Sequence, residues 1–211
     1  MFDWDGTVAD SSVRIVTCMR ASLADLGGPA LPDARLRQAI GLGLPETARF
    51  FVPDADEDFV EDFVEAYREH WLAKNVGSVD LFEGIAALFE TLHARGRRLA
   101  IATGKSRAGL DRELGQSGLG RFVIASRCAD ETASKPDPRM LRELLDETST
   151  AATDAVVIGD TSFDLQMAAA AGVRAVAVSY GAHERRRLQA LRPSDLVDDV
   201  AELTALLTSS L

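Results

Sequence analysis

The stretch that most constrains the fold is DAVVIGD, residues 154–160, a continuous apolar run closed by Gly159 and Asp160. A strand that is apolar on both faces has to be covered on both, which is the condition of a parallel sheet flanked by helices. The neighbouring sequence repeats that arrangement. GIAALFETLHARG (84–96) has helical periodicity and stops at a glycine, and RRLAIATG (97–104) reads as a strand entering a polar turn. A helix over about 106–117 precedes the strand RFVIAS (121–126), and PDPRMLRELLDE (136–147) is a helix opened by prolines. A helix over 162–171 ends at Gly172 and leads to the strand RAVAVSYG (174–181), while DLVDDVAELTALL supplies an edge strand and a closing helix. Alternation of this kind predicts an α/β fold, a doubly wound, Rossmann-like parallel sheet.

Residues 13–78 read differently. They hold no convincing strand, several Gly and Pro breaks, and helical patterns in VRIVTCMRASLADLG and DEDFVEDFVEAYREHWLAK. This predicts an all-helical unit inserted after the first strand, with residues 1–12 and 79–211 forming the α/β core. The acidic run 54–65 is expected to be its solvated face.

A formal net charge of -10 would repel a phosphate backbone and an anionic lipid surface, so neither nucleic acid nor membrane is an expected partner. Cys18 and Cys128 show no paired spacing, which argues against a disulfide framework or a zinc site. No basic stretch leads into an apolar run at the N-terminus, and the expected location is the cytoplasm.

In an open parallel sheet, ligands bind at the carboxyl ends of the strands. The residues expected there are Asp3-Trp4-Asp5-Gly6-Thr7, then Thr103-Gly104-Lys105-Ser106, then Ser134-Lys135-Pro136, then Gly159-Asp160-Thr161-Ser162-Phe163-Asp164. Carboxylates gathered at one edge repel, by roughly 4 kcal/mol for a pair about 4 Å apart at an effective dielectric near 20. A hard divalent cation removes that penalty, and Mg²⁺ binds through one or two carboxylates together with a substrate phosphate. Lys135 and the Thr103 hydroxyl suit phosphoryl oxygens, and a carboxylate can itself serve as the nucleophile.

The ordered motifs DWDGT, TGKS, SKPDP and GDTSFD resemble those of the haloacid dehalogenase superfamily, in its phosphoglycolate phosphatase-like branch with a helical cap. The resemblance extends over nearly the whole chain. It implies that Asp3 attacks phosphorus, and that Asp5 protonates the leaving group and later activates water. Thr103 would hold a phosphate oxygen and Lys135 would neutralise nucleophile and phosphate. Mg²⁺ would be held by Asp3, Asp160 and the main-chain carbonyl of Asp5, with Asp164 as a second or outer partner. A second acid two residues after the nucleophile implies ester hydrolysis or transfer rather than dehalogenation. The implied substrate is a small phosphorylated metabolite, 2-phosphoglycolate first, with pyrophosphate hydrolysis or a β-phosphoglucomutase-like phosphotransfer as alternatives. A non-catalytic Mg²⁺- or phosphate-binding interaction protein is the reading from another class, and the chain is expected to act as a monomer or homodimer.

Similar proteins carry about four apolar residues before the first Asp, whereas only Met1 and Phe2 stand there. The expectation is either a natural chain that begins further upstream or a weakened sheet, the former being favoured.

Other local patterns read more plainly. Gly6 comes too early for an EF-hand loop, and the first glycine of a P-loop would fall at Leu99. Gly41, Leu42 and Gly43, in GLGLPET (41–47), form a glycine turn before a helix and are candidates for reading the substrate. Lys105 is expected to be an exposed turn lysine, Trp4 and Trp71 to be packing residues, and His70, His93 and His183 to be structural surface residues. The run Glu184-Arg185-Arg186-Arg187 is expected to be a solvated helix start.

Overall fold

The computed structural model of the chain describes residues 1–73 and 79–209. Its strands are β1 (Leu99–Thr103), β2 (Val123–Cys128), β3 (Val156–Gly159), β4 (Arg174–Val178) and β5 (Asp195–Val197). β2 pairs in parallel with β1, and β3, β4 and β5 pair in parallel in that order. Residues 1–3 join the two groups. The Phe2 N–H donates to Ala100 O at 2.8 Å and the Ala102 N–H to Phe2 O at 2.9 Å on one side. On the other, Asp3 N–H donates to Ile158 O and Ile158 N–H to Met1 O, both at 2.9 Å. The order across the sheet is therefore β2, β1, residues 1–3, β3, β4, β5. The short first strand pairs on both edges, so those neighbouring backbone groups are satisfied along its length.

Alternation along β1 explains why the sheet is covered twice. Leu99 and Ile101 face one side, packing with Phe2, Ile158 and the helices α5 (Ile85–Ala94), α6 (Arg107–Ser117) and α10 (Val200–Ser209). Ala100 and Ala102 face the other side, where small residues let α7 (Arg139–Glu147), α8 (Ser162–Ala171) and α9 (Arg185–Ala190) lie close. Phe2, 2 % exposed, packs against Phe89 with the rings tilted by 46° and their centroids 4.9 Å apart, which anchors the short central segment. The first layer of chemistry, Asp3, is thus fixed by apolar burial worth about 1.5–3 kcal/mol for the Phe2 side chain.

The helices α1 (Ser12–Asp25), α2 (Asp33–Arg37), α3 (Leu44–Phe51) and α4 (Glu57–Ala73) make a separate unit. α3 starts after the Gly43 turn with a proline in its first turn. Ile15, Met19, Leu23, Leu36, Phe63 and Trp71 form its own apolar core, while Glu57, Asp58, Glu61 and Asp62 stay exposed. Among the described residues it contains no strand. The expected helix end at Lys74 and the expected unit boundary at residue 78 lie outside the described residues. The fold is a Rossmann-like α/β core carrying a helical cap. No described helix is long and apolar enough to cross a membrane.

Candidate active site

The strand ends converge as a parallel sheet requires. Residues 1–3 deliver Asp3, β1 delivers Thr103 and Gly104, and β3 delivers Gly159 and Asp160. The chain turns at Gly6 with φ 84°, and a Cβ there would overlap the Asp160 carboxylate, so only glycine brings this turn so close. At the start of α8, Thr161 and Asp164 form a reciprocal capping box that aims Asp164 back toward β3. Lys135 arrives from the turn before α7.

Carboxylate oxygens of Asp3, Asp160 and Asp164 lie within 4.8 Å of one another, all buried. The Lys135 ammonium, also buried, sits 2.7 Å from Asp3 and 2.6 Å from Asp164. Three carboxylates against one ammonium leave excess negative charge in a dry site. Burial, then repulsion from Asp164, pushes Asp3 well above the ordinary aspartate range, although Lys135 opposes the shift. Asp160 is pushed up to about 7 by burial and then by Asp164. Burial alone would pull Lys135 down, but Asp164 and Asp3 outweigh it and hold its ammonium above the usual lysine value.

The hydrogen bonds separate the roles of the three acids. Asp164 is fully engaged, with Oδ1 on Lys135 at 2.6 Å and Oδ2 accepting from the Thr161 N–H at 3.0 Å and its hydroxyl at 2.6 Å. Asp160 accepts from the Thr7 hydroxyl at 2.8 Å and the Ala182 N–H at 2.7 Å. Asp3 Oδ1 accepts from the Trp4 N–H at 2.6 Å, while Asp3 Oδ2 is buried with no partner among the described residues. An orphaned carboxylate oxygen beside an all-oxygen donor set fits a hard divalent cation such as Mg²⁺.

Asp5 and Thr103 lie at the edge of this cluster. Asp5 accepts from the Ser11 hydroxyl at 2.7 Å and from Lys105 Nζ at 3.1 Å, and Thr103 Oγ1 accepts from the Lys105 N–H at 3.1 Å. The expectation of an exposed turn lysine is corrected here. The Lys105 side chain is only 9 % exposed, because it bridges Asp5 and Glu113 and lies 4.5 Å from the Trp71 ring centroid. Glu113 also accepts from Trp4 Nε1 at 2.5 Å. Trp4 packs as expected and additionally ties the Asp3-bearing segment to α6. Sequence reasoning missed Glu113, whose signal was its position three residues after Leu110 on an otherwise polar helix, where the same face turns inward.

The cap closes against these strand ends. Gly41 and Leu42 carbonyl oxygens approach so near that a Cβ on Gly104 would sit 2.6 Å from each. The Gly43 N–H donates to Ser134 Oγ at 2.8 Å. His183 is the second correction, because it is buried rather than on the surface. Its Nδ1 accepts from the Ser162 N–H at 2.9 Å, which leaves the proton on Nε2, 3.3 Å from Gln38 O in the cap. Burial pulls its pKa down to about 4, so the ring is neutral at pH 7.

Between cap and core lies a cavity of about 170 Å³ lined by Asp3, Asp5, Thr103, Gly104, Gly41 and Leu42 from the predicted set. Lys135, Asp160 and Asp164 stand behind Asp3, and Gly43 serves the Ser134 contact instead of the wall. Trp71 belongs to the cap core, as expected, and also forms part of this wall. A dry, anionic floor with an acid at its rim can accept a phosphoryl group, transfer it to a carboxylate and move one proton.

Residues 1–178 match the haloacid dehalogenase-like hydrolase family. A phosphoglycolate phosphatase of Cupriavidus necator is 34 % identical over 99 % of this chain and 92 % of its own length. A phosphoglycolate phosphatase of Rhodospirillum rubrum is 30 % identical over 96 % of this chain and 88 % of its own. Among solved structures, a haloacid dehalogenase-like family hydrolase from Streptococcus pneumoniae superposes with a TM-score of 0.83 at 25 % identity, over 98 % of this chain and 96 % of that one. The chain belongs to the haloacid dehalogenase-like hydrolase family, in the branch similar to phosphoglycolate phosphatases.

Proposed function

We propose that the protein is a Mg²⁺-dependent phosphatase that hydrolyses a small phosphomonoester through an aspartyl-phosphate on Asp3. The observation that carries this reading is the buried, unpartnered Asp3 Oδ2 at the floor of a cavity that Asp5 also lines. An Asp3 carboxylate oxygen forms a bond to phosphorus as the ester P–O bond breaks, and the departing alkoxide takes a proton from Asp5. Asp5, now a carboxylate, removes a proton from the water that attacks the aspartyl-phosphate, which frees inorganic phosphate and restores Asp3. Lys135 holds Asp3 in place and offsets charge on the phosphoryl oxygens, with the Thr103 hydroxyl placed for one of them.

Asp3, Asp160 and the main-chain carbonyl of Asp5 would hold Mg²⁺, and Asp164, both of whose oxygens are engaged, would orient Lys135 and support the site from outside. When bound, the ion supplies positive charge that keeps Asp3 and Asp160 ionised and neutralises the phosphoryl group. Gly41 and Leu42 of the cap turn meet the leaving group. Because relatives named phosphoglycolate phosphatases are similar to this chain, 2-phosphoglycolate is a first substrate to assay, and the buried Cys18 and Cys128 suit a reducing cytosol. The test is phosphate release from a phosphomonoester with Mg²⁺. Loss with chelator and a drop of at least about 10³-fold in Asp3→Asn are expected; an Asp3→Asn protein with undiminished turnover would refute the mechanism.

A further inference from the structure

The cavity above Asp3 has a chemistry of its own. Its walls beyond the reacting groups are Ile15, Ile40, Leu42, Leu44, Tyr67 and Trp71, with Ile15, Ile40 and Trp71 buried in the cap. Tyr67 and Trp71 lie stacked, with ring planes 14° apart, so the aromatic wall is held as one unit. Among the described residues, the cations that line the cavity are Lys105, Arg68 and Arg112. Lys105 is already paired to Asp5 at 3.1 Å and to Glu113 at 3.2 Å, and Arg68 and Arg112 are exposed residues at the mouth. A carboxylate adjacent to the phosphoester, as in 2-phosphoglycolate, would enter beside Asp5 and against aliphatic walls with, among the described residues, no uncommitted cation at that depth. Its desolvation would go uncompensated. An apolar body meets the opposite situation, since the walls offer hydrocarbon and aromatic surface. The volume, about 170 Å³, compares with the roughly 150 Å³ apolar cavity that takes up benzene.

We infer that the preferred substrate is a phosphomonoester of an alcohol with an apolar body, from a branched aliphatic chain to a single ring, and not a short anionic metabolite. This rests on the phosphatase reading above. The phosphoryl group meets Asp3 and Thr103, and the organic part lies along Leu42 and Trp71 under the cap.

The test uses the intact protein with Mg²⁺ and benzyl phosphate, ethyl phosphate, 2-phosphoglycolate and glucose 6-phosphate, which share a poor alcohol leaving group. It is paired with equilibrium binding of benzylphosphonate, methylphosphonate and phosphonoacetate, which cannot be hydrolysed. Benzyl phosphate should have the highest kcat/KM, by about 10- to 100-fold over ethyl phosphate, and benzylphosphonate should bind tighter than methylphosphonate by a similar factor. Binding of benzylphosphonate should show a negative heat-capacity change. Equal or higher kcat/KM for 2-phosphoglycolate, or tighter binding of phosphonoacetate, would overturn the inference while leaving the phosphatase reading intact. Preferential binding of benzylphosphonate without hydrolysis of any ester would do the reverse, supporting the apolar pocket and removing the phosphatase reading.

Discussion

Lys105 holds two carboxylates at once, one of which is the acid expected to protonate the leaving group. Replacing it with methionine leaves Asp5 and Glu113 facing each other without their shared cation. The expected result is a stability loss of about 3–5 kcal/mol in urea unfolding, the usual cost of stripping one partner from a buried ion pair. Among molecules that remain folded, esters with poor leaving groups should slow more than activated aryl phosphates, because a misplaced Asp5 impairs water activation for every ester but leaving-group protonation only for those that need a proton. Equal losses across leaving groups would show that Lys105 acts only on the fold. His183 gives a second measurable effect. Its folded-state pKa of about 4 lies below the ordinary 6.5, so below pH 6.5 the unfolded chain takes up a proton that the folded protein does not. Stability is therefore lost as pH falls from about 6.5 to about 4, by up to about 3 kcal/mol. The stability difference between wild type and His183→Gln should shrink over that window. A constant difference would mean the ring is not held neutral.

At the level of elements, the end of β1 and the cap turn meet through glycines, Gly104 against Gly41. Gly104→Ala would press a methyl group against the Gly41 and Leu42 carbonyls, so either the β1 turn or the cap turn must retreat. Steady-state kinetics should show KM raised and kcat lowered together, by about 10-fold or more in kcat/KM, with little change in unfolding. Unchanged kinetics would place the cap elsewhere in the working enzyme. This contact also marks where sequence reading stopped. β3, α8 and the alternation of strands with helices were legible, because unbroken apolar runs and Gly172 depend on local pattern alone. Asp3, Lys135, Asp160 and Asp164 were legible because parallel topology places strand ends together. Lys105 and His183 were not, since a polar residue in a turn gives no sign of burial until the cap folds over it, and Glu113 left only its spacing from Leu110 as a sign. The helical unit could be recognised by its missing strands, yet the closeness of residues 38–43 to the core depends on packing that no local pattern records.

Taken whole, the molecule concentrates three acids and one ammonium where the sheet is driest, so its stability should depend on a divalent cation. Mg²⁺ at about 100 times its dissociation constant should stabilise the fold by about 2.7 kcal/mol, read as a raised Tm that chelator reverses. Because Asp160 titrates near 7 before metal arrives, binding should release a proton below that pH, and affinity should weaken as pH falls through it. Calorimetry in buffers of different ionisation enthalpy would detect the released proton, and buffer-independent heats would contradict the assignment. The sequence holds 2 tryptophans, and both adjoin the site: Trp4 follows Asp3 and bonds Glu113, while Trp71 lines the cavity. The protein thus carries its own optical reporter, with no third indole elsewhere to dilute the signal, and occupancy can be followed by intrinsic fluorescence before any substrate is known.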